Sequence, residues 1–302
     1  MLWAGVTSQT AMPALPLPRP ILDTHIHLFQ VSRPGGVPWP PAHAELYRDI
    51  LPGAYEAAAR PLGIVGSGIV EASNLHSDTR WVLDQVAGND FFPFLVAHLE
   101  VGAPDFEAKL DEIAREPKVV GIRGFLWSPT LTVDATQVAH LRLLAKRGMT
   151  LDLISRGTLN PKDKIDKLAA AVPNLRMIID HLGGAKGAVP DSQWLDDMRT
   201  LARRPNVFVK LSSLYDMFNP AADDNHPWTA PQDLASYRQH FDVLFESFGP
   251  SRVLFGSNWP VCTLGGSLAD EIRIVEEYLS KTGGRVREAV MHENARAFYR
   301  RV

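Results

Sequence analysis

Two histidines separated by one residue, His25 and His27, give the clearest chemical signal in the sequence. They end the run Ile21-Leu22-Asp23-Thr24-His25-Ile26-His27, whose residue types favour a β-strand. Residues i and i+2 of a strand point to the same side, so both imidazoles should project together. Such a pair suits two ligands of one metal ion, or two donors to a substrate oxyanion. Two incidental loop histidines are the alternative.

Four further side chains stand near the ends of later predicted strands. His181 precedes a Gly-Gly turn and could face a ligand. Arg123 could clamp a substrate carboxylate bidentately, or form an ion pair with Glu71 or Asp152. Glu71 could be a metal ligand or a base. Lys210 could polarise a carbonyl group or balance a buried acid.

Asn258 lies in the segment Phe255-Gly256-Ser257-Asn258-Trp259-Pro260-Val261, which is predicted to form the carboxyl end of a late β-strand. An amide can hold a water molecule by hydrogen bonds but cannot accept its proton. Strand alternation predicts that Asp180 points away from His181, toward the helices. Asp23 should lie one step deeper than His25 and could orient it.

Aromatic residues offer weaker predictions for the pocket. Trp39, Tyr47 and Trp127 could line its walls and Trp259 its floor, although aromatic residues are also common in cores.

Composition limits the class of protein. The 302 residues suffice for one large domain, and the net charge of −3 argues against nucleic-acid binding. No apolar run approaches the ~20 residues of a membrane span. The single cysteine, Cys262, fits a reducing compartment, so we predict a cytoplasmic protein. A homo-oligomer is compatible with the sequence.

The order of predicted elements indicates the fold. Eight β-type runs alternate with amphipathic helical patterns, which favours an α/β protein, a single-domain (β/α)8 TIM barrel. An open doubly wound sheet is the alternative, but a Gly-rich phosphate loop does not follow the first run. We assign residues 1–19 to a flexible lead-in and 20–302 to the barrel. The Pro-rich segments 31–52 and 219–231 are predicted loops at the carboxyl ends of strands one and seven.

Together these motifs resemble the amidohydrolase superfamily, in particular its lactonase-type branch. That branch contains 2-pyrone-4,6-dicarboxylate lactonase, L-fuconolactonase and L-rhamnonolactonase. The likeness begins at about Pro20 and keeps the order of the motifs to the end. The matching segments are Leu22-Asp23-Thr24-His25-Ile26-His27-Leu28-Phe29, Val70-Glu71-Ala72-Ser73, Gly121-Ile122-Arg123-Gly124, Ile179-Asp180-His181-Leu182-Gly183, Val209-Lys210-Leu211-Ser212, Phe255–Val261 and Glu293–Tyr299.

The resemblance implies hydrolysis of a lactone of a small sugar acid or dicarboxylate. It implies that His25, His27 and His181 bind the substrate carbonyl or, in some members, a divalent metal, and that Arg123 anchors the substrate. One Zn²⁺ held by His25, His27 and Glu71 is one prediction, and metal-independent catalysis is the other. The substrate is a small molecule, without a nucleic-acid or membrane partner.

Asn258 is the main departure from this pattern, because the family has a carboxylate there as general base. Three interpretations stay open. The amide could be a replacement made to trap a ligand, or His181 or Glu71 could serve as the base. In the third, catalysis is lost and binding remains. Lactone isomerisation, decarboxylation and non-catalytic binding of a small acid are the alternative functions.

Overall fold

The predicted alternation of strands and helices is present in the computed structural model, which describes residues 19–125, 132–154, 162–221 and 223–300. Within these ranges eight parallel strands pair in chain order. The strands are β1 Ile21–Ile26, β2 Ile64–Val70, β3 Phe94–His98, β4 Val119–Phe125, β5 Thr150–Ile154, β6 Met177–Ile179, β7 Val207–Leu211 and β8 Val253–Phe255.

The sheet curls until its last strand meets its first. Just beyond β8, the Asn258 amide N–H donates to the carbonyl of His25 at 2.7 Å. The His27 N–H donates to the Trp259 carbonyl at 2.8 Å. These bonds join the two edges, so the prediction of a (β/α)8 barrel is confirmed and the open sheet is wrong.

Helices separate the strands and cover the outside of the barrel. The predicted helical stretches at 106–115, 164–171, 194–201 and 234–248 correspond to α3, α5, α6 and α7. Asp134, Asp191 and Ser267 cap α4, α6 and α8 by accepting a backbone N–H. The helices are α1 Pro52–Ala59, α2 His76–Gln85, α3 Phe106–Ile113, α4 Ala135–Lys146, α5 Lys162–Ala171, α6 Ser192–Leu201, α7 Ala235–Phe248, α8 Leu268–Leu279, α9 Gly284–Glu288 and α10 Asn294–Phe298.

Two apolar cores result. The larger one fills the space between strands and helices, and the smaller one fills the barrel. The barrel core is closed from below by Phe298 and Tyr299 at the end of α10. Arg176, at the start of β6, donates to the Arg300 carbonyl at 2.8 Å, which fixes this end under the strands. The opposite end, where the strands finish, is left for the site.

Two long loops meet over the carboxyl ends of the strands. The segment 31–50 is largely irregular, as predicted, and α1 begins at Pro52. The Glu45 N–H donates to the Asn225 carbonyl in the second predicted loop at 2.9 Å. Nearly all of the predicted lead-in, residues 1–18, lies outside the described residues. No helix in the described part of the chain has the length and apolar character needed to cross a membrane.

Candidate active site

His25 is fully buried at the end of β1, and one of its ring nitrogens faces an ammonium group. Lys210 Nζ lies 3.2 Å from Nδ1 of His25. Asp180 Oδ1 lies 3.6 Å from the same nitrogen. The other nitrogen, Nε2, is buried and has no hydrogen-bond partner among the described residues. Burial, followed by the charge of Lys210, holds the pKa of His25 well below its usual value, so the ring is neutral.

Lys210 is fully buried and serves as a cation within the barrel. Its ammonium lies 2.6 Å from Asp152 Oδ2 and 3.0 Å from Asp180 Oδ1. Burial alone would lower the pKa of Lys210, but the two carboxylates together raise it. Tyr299 also donates to Asp152 Oδ2 at 2.6 Å. Of the two predicted roles, the structure therefore shows the balancing of buried acids.

His181 stands beside His25, with 4.6 Å between the ring centroids. Its Nδ1 lies 2.9 Å from Ser212 Oγ, and its backbone N–H donates to the same oxygen at 3.1 Å. Burial, followed by the proximity of His25, holds the pKa of His181 well below its usual value.

The predicted outward direction of Asp180 is wrong. Asp180 is fully buried and faces Lys210 and His25. Strand alternation fails here because β6 ends at Ile179 and His181 has a φ of +55°. The turn that follows the strand brings both Asp180 and His181 to the same site.

His27 and Asn258 form a buried hydrogen-bonded pair across the join between β1 and β8. His27 Nε2 lies 3.0 Å from Asn258 Oδ1, and His27 Nδ1 lies 2.9 Å from the Val70 carbonyl. Asn258 Nδ2 lies 2.7 Å from Ser213 Oγ. Burial, followed by the charge of Arg123, lowers the pKa of His27 to about 3.

Three residues of the site have left-handed backbone conformations. They are His181, Ser213 and Asn258, with φ values of +55°, +56° and +58°. Each lies shortly after the end of a strand, namely β6, β7 and β8. This region is strained for residues other than glycine, and Asn and Asp tolerate it better than most. Such strain is typically retained where function requires the geometry.

Arg123 and Glu71 form an ion pair between the ends of β4 and β2. Arg123 Nε donates to Glu71 Oε1 at 2.7 Å, and Nη2 donates to the Glu71 carbonyl at 2.7 Å. Burial raises the pKa of Glu71 to about 7 in spite of Arg123. The alternative of an internal ion pair is therefore the arrangement present, and Glu71 is held by Arg123 rather than by the histidines.

Asp23 supports the site from outside the barrel. It accepts hydrogen bonds from the His25 N–H at 3.0 Å, from Tyr55 at 2.7 Å and from the Ser257 hydroxyl at 2.6 Å. The expectation that it orients the His25 ring is wrong, because it binds the backbone of His25.

The aromatic residues that were predicted to line the pocket differ in where they lie. Trp39 packs edge to face on His27, with 5.6 Å between centroids, and so lies beside the site. Trp259 packs against Tyr55 at 5.1 Å within the larger core, which argues against a place on the pocket floor. Tyr47 is exposed, and its role in substrate binding stays a prediction. Trp127 lies outside the described residues.

The ligand atoms that could hold a metal differ from those predicted. Among the described residues, His25, Asp180 and His181 offer ligand atoms that all lie within 4.8 Å of one another. Three ligands with an open fourth position are typical of a catalytic zinc site. His27 and Glu71 are committed instead to Asn258, Val70 and Arg123.

Sequence reasoning gave no role to Ser212, Ser213 or Tyr299. The serines follow β7 directly, which is a signal of position but not of partner. Tyr299 belongs to the matching segment Glu293–Tyr299, but the sequence does not indicate that its hydroxyl contacts Asp152.

Comparison with protein-family models identifies the family of this chain. The family described as Amidohydrolase matches residues 22–301, so the chain belongs to that family. The fold and the site therefore define an amidohydrolase-type hydrolase.

Individual proteins that this chain resembles are known by name or by structure. L-fucono-1,5-lactonase from Burkholderia ambifaria is 31% identical over 264 residues, covering 82% of this chain and 83% of that protein. A Burkholderia multivorans amidohydrolase structure with bound zinc has a TM-score of 0.80 and 25% identity, covering 92% of this chain and 98% of that one. A putative 2-pyrone-4,6-dicarboxylic acid hydrolase from Pseudomonas putida has a TM-score of 0.67 and 25% identity, covering 92% and 97%.

Proposed function

We propose that this protein hydrolyses a lactone of a small sugar acid. The observation that carries the proposal is the buried Nε2 of His25, which lies beside His181 at the carboxyl end of the barrel and has no hydrogen-bond partner in the part of the chain that the structure describes. A buried polar group without a partner costs free energy unless a ligand uses it. The likeness to an L-fucono-1,5-lactonase supports a sugar-acid lactone as that ligand.

The lactone carbonyl oxygen is the atom that His25 would bind. Nδ1 of His25 accepts a hydrogen bond from Lys210, so Nε2 carries the ring proton. An N–H in a water-poor site stabilises the oxyanion that forms when water attacks the carbonyl. Loss of one such donor typically costs about 10²–10³ in kcat.

His181 is the proposed base: it takes a proton from the attacking water and returns it to the ring oxygen of the lactone as the bond between that oxygen and the carbonyl carbon breaks. Its ring is neutral, and it is less buried than His25. A base with a strongly lowered pKa accepts a proton weakly, so we expect slow turnover. Asn258 would hold the water or the opened acid by hydrogen bonds. This assignment corresponds to the interpretation in which a residue other than Asn258 takes the proton.

Arg123 and Trp39 would position the rest of the substrate. The ion pair with Glu71 fixes the guanidinium of Arg123 near the histidines. The ring of Trp39 lies against His27 and supplies an apolar wall. Two weaker proposals concern Tyr47 and Lys210. Tyr47 would bind the substrate directly, and Lys210 would act on it through His25.

The donor atoms are close enough together to share a divalent metal ion, but their protonation and existing partners do not suit metal binding. His25, Asp180 and His181 are near enough to one another to share an ion. However, the lone pair of His25 is on Nδ1, where Lys210 already lies, and Asp180 Oδ1 is paired with the same ammonium. The steps proposed above therefore use the side chains of this chain alone.

A lactone panel tests the proposal. L-fucono-1,5-lactone, L-rhamnono-γ-lactone and 2-pyrone-4,6-dicarboxylate are incubated with the protein, and acid release is followed while NMR identifies the product. We expect release from a sugar lactone and a loss of at least about 10²-fold in His25→Ala. His43→Gln, an exposed loop change, serves as the control. Isomerised or decarboxylated product, or binding without any product, would establish one of the other functions instead.

A further inference from the structure

The strongest feature outside the proposed chemistry is the buried ammonium of Lys210. Four acceptor atoms lie around it: the Thr24 carbonyl oxygen at 3.4 Å and three nearer side-chain atoms. The nearer three are Asp152 Oδ2 at 2.6 Å, Asp180 Oδ1 at 3.0 Å and His25 Nδ1 at 3.2 Å. The two carboxylates and the ammonium are all fully buried. A buried cation placed between two carboxylates and an imidazole occupies the kind of position that a metal ion takes.

The contact with His25 has a definite consequence for its ring. An ammonium is a donor only, so Nδ1 must be the accepting nitrogen of a neutral imidazole and Nε2 must carry the hydrogen. Histidines that bind a metal show the opposite arrangement, since their second nitrogen usually donates to a carboxylate, a carbonyl or water.

We propose that Lys210 is a built-in cation that takes the place of a metal in this protein, fixing His25 as an Nε2–H donor and excluding Zn²⁺ from the group His25, Asp180 and His181. Lys210 is then a positioning residue that acts on a ligand through His25. A ligand oxygen is bound by His25 through a hydrogen bond and not through an ion. The choice between metal-assisted and metal-independent catalysis is thereby decided by one side chain.

Tyr299 strengthens this arrangement from below. Its hydroxyl donates to the same oxygen of Asp152 that binds Lys210. Its ring lies 5.6 Å from the ammonium. Asp152 is thus held from one side by the final helix and from the other by the ammonium, which leaves Lys210 little freedom to turn away from His25.

Histidine NMR on the wild-type protein tests the proposal directly. The ten histidines are labelled with ¹⁵N, and the His25 signals are assigned by their loss in His25→Gln. We expect an unprotonated Nδ1 and a protonated Nε2 at neutral pH. A proton on Nδ1 would overturn the proposal.

Zinc binding gives a second, independent readout. After incubation with Zn²⁺ and dialysis, the wild type should retain well below one ion per chain. Lys210→Met combined with Asp152→Asn removes the ammonium together with one acid, so the net charge of the buried group is unchanged and Asp180 remains. We expect this double variant to retain about one ion, since three ligands and a water complete a zinc site. Lys109→Met, on the outer helix α3, is the control.

Two results of the zinc measurement would also contradict the proposal. One is stoichiometric zinc in the wild type that disappears in His25→Gln, and the other is a folded double variant that takes up no zinc. Circular dichroism establishes whether the double variant folds, and if it does not, the NMR result on the wild type decides alone. Neither measurement requires a substrate. A failure of the proposed lactone hydrolysis can therefore be distinguished from a failure of this proposal.

Discussion

His27 and Asn258 are joined by a 3.0 Å contact between the His27 Nε2 and the side-chain amide. His27 Nδ1 faces the Val70 carbonyl, which only accepts, so a neutral ring carries its proton there. Nε2 then needs a donor, whereas the atom at 3.0 Å is the amide oxygen, so we infer that the oxygen and nitrogen of the Asn258 amide are interchanged, with its NH₂ group toward His27. The amide oxygen in turn accepts from the Ser213 hydroxyl. An amide satisfies a neutral His27 and Ser213 at once, which a carboxylate cannot do.

Replacing this amide by a carboxylate tests whether the site lacks a base. Asn258→Asp should raise turnover of a sugar lactone by at least about tenfold, equivalent to ~1.4 kcal/mol, because the new carboxylate can take the proton of water. Asp tolerates the left-handed conformation at this position as Asn does. Steady-state kinetics on the lactone panel measures the change, with the exposed Asn174→Asp as a control for added charge. No gain on any lactone would sink the missing-base interpretation.

Tyr299→Phe tests the support beneath the site. Loss of the hydroxyl removes a hydrogen bond to the buried Asp152, which typically costs about 1.5–3 kcal/mol for a charged partner. We also expect a lower kcat with little change in KM, because Lys210 and His25 become less well fixed. Tyr278→Phe is a matched control, since Tyr278 donates to Asp242 at 2.9 Å away from the site. Urea unfolding and kinetics measure both variants, and equal kinetic effects in the two would contradict the idea.

Acid should destabilise the protein through His240. This residue is fully buried, neither ring nitrogen has a hydrogen-bond partner within the described ranges, and burial lowers its pKa to about 4. The unfolded value is about 6.5, so protonation favours the unfolded state. Stability from this group is present above pH 6.5 and is lost as the pH falls toward 4.

His240→Phe should remove that acid loss. Between pH 8 and pH 4.5 the variant should lose about 2 kcal/mol less free energy of unfolding than the wild type. Urea unfolding at several pH values measures the difference in slope, and His43→Phe, on an exposed loop, should leave it unchanged. Parallel pH profiles for wild type and His240→Phe would refute the assignment.

Two glycines of β4 should respond differently to alanine. A Cβ on Gly121 would lie 2.7 Å from the Thr150 carbonyl oxygen, whereas on Gly124 the nearest atom is a flexible Leu153 methyl at 3.4 Å. Overpacking against backbone costs about 1–3 kcal/mol, so Gly121→Ala should lower the unfolding midpoint clearly and Gly124→Ala only slightly. Both flank Arg123 and share a strand, so similar losses in the two would show that the close approach is not the cause.

The barrel and most of the site's members could be predicted from the sequence. Periodicity located the eight strands within a few residues, because apolar runs and their spacing follow directly from burial. It also placed His25, His27, His181 and Asn258 at strand ends. These predictions needed only local patterns.

The partners of those residues could not be predicted in the same way. Asp180 turns inward because His181 adopts a positive φ. The residue types at this turn do not predict that conformation. Ser213 and Tyr299 contribute through contacts between distant segments, and the pairing of Glu71 with Arg123 was one of several open choices. Side-chain direction beyond a strand end depends on the loop conformation, and alternation no longer describes it.

The contact between His27 and Asn258 also joins distant parts of the chain, so we expect the site to form late in folding. The two residues are 231 positions apart, and Lys210 is 185 from His25. Long-range pairings form slowly, because chain entropy is lost before they contribute stability. A chain with seven strands in place would already bury much of its core but would lack the join that brings Asn258 to His27. Recovery of activity after dilution from denaturant would therefore report on closure of the barrel, whereas far-ultraviolet circular dichroism would recover earlier.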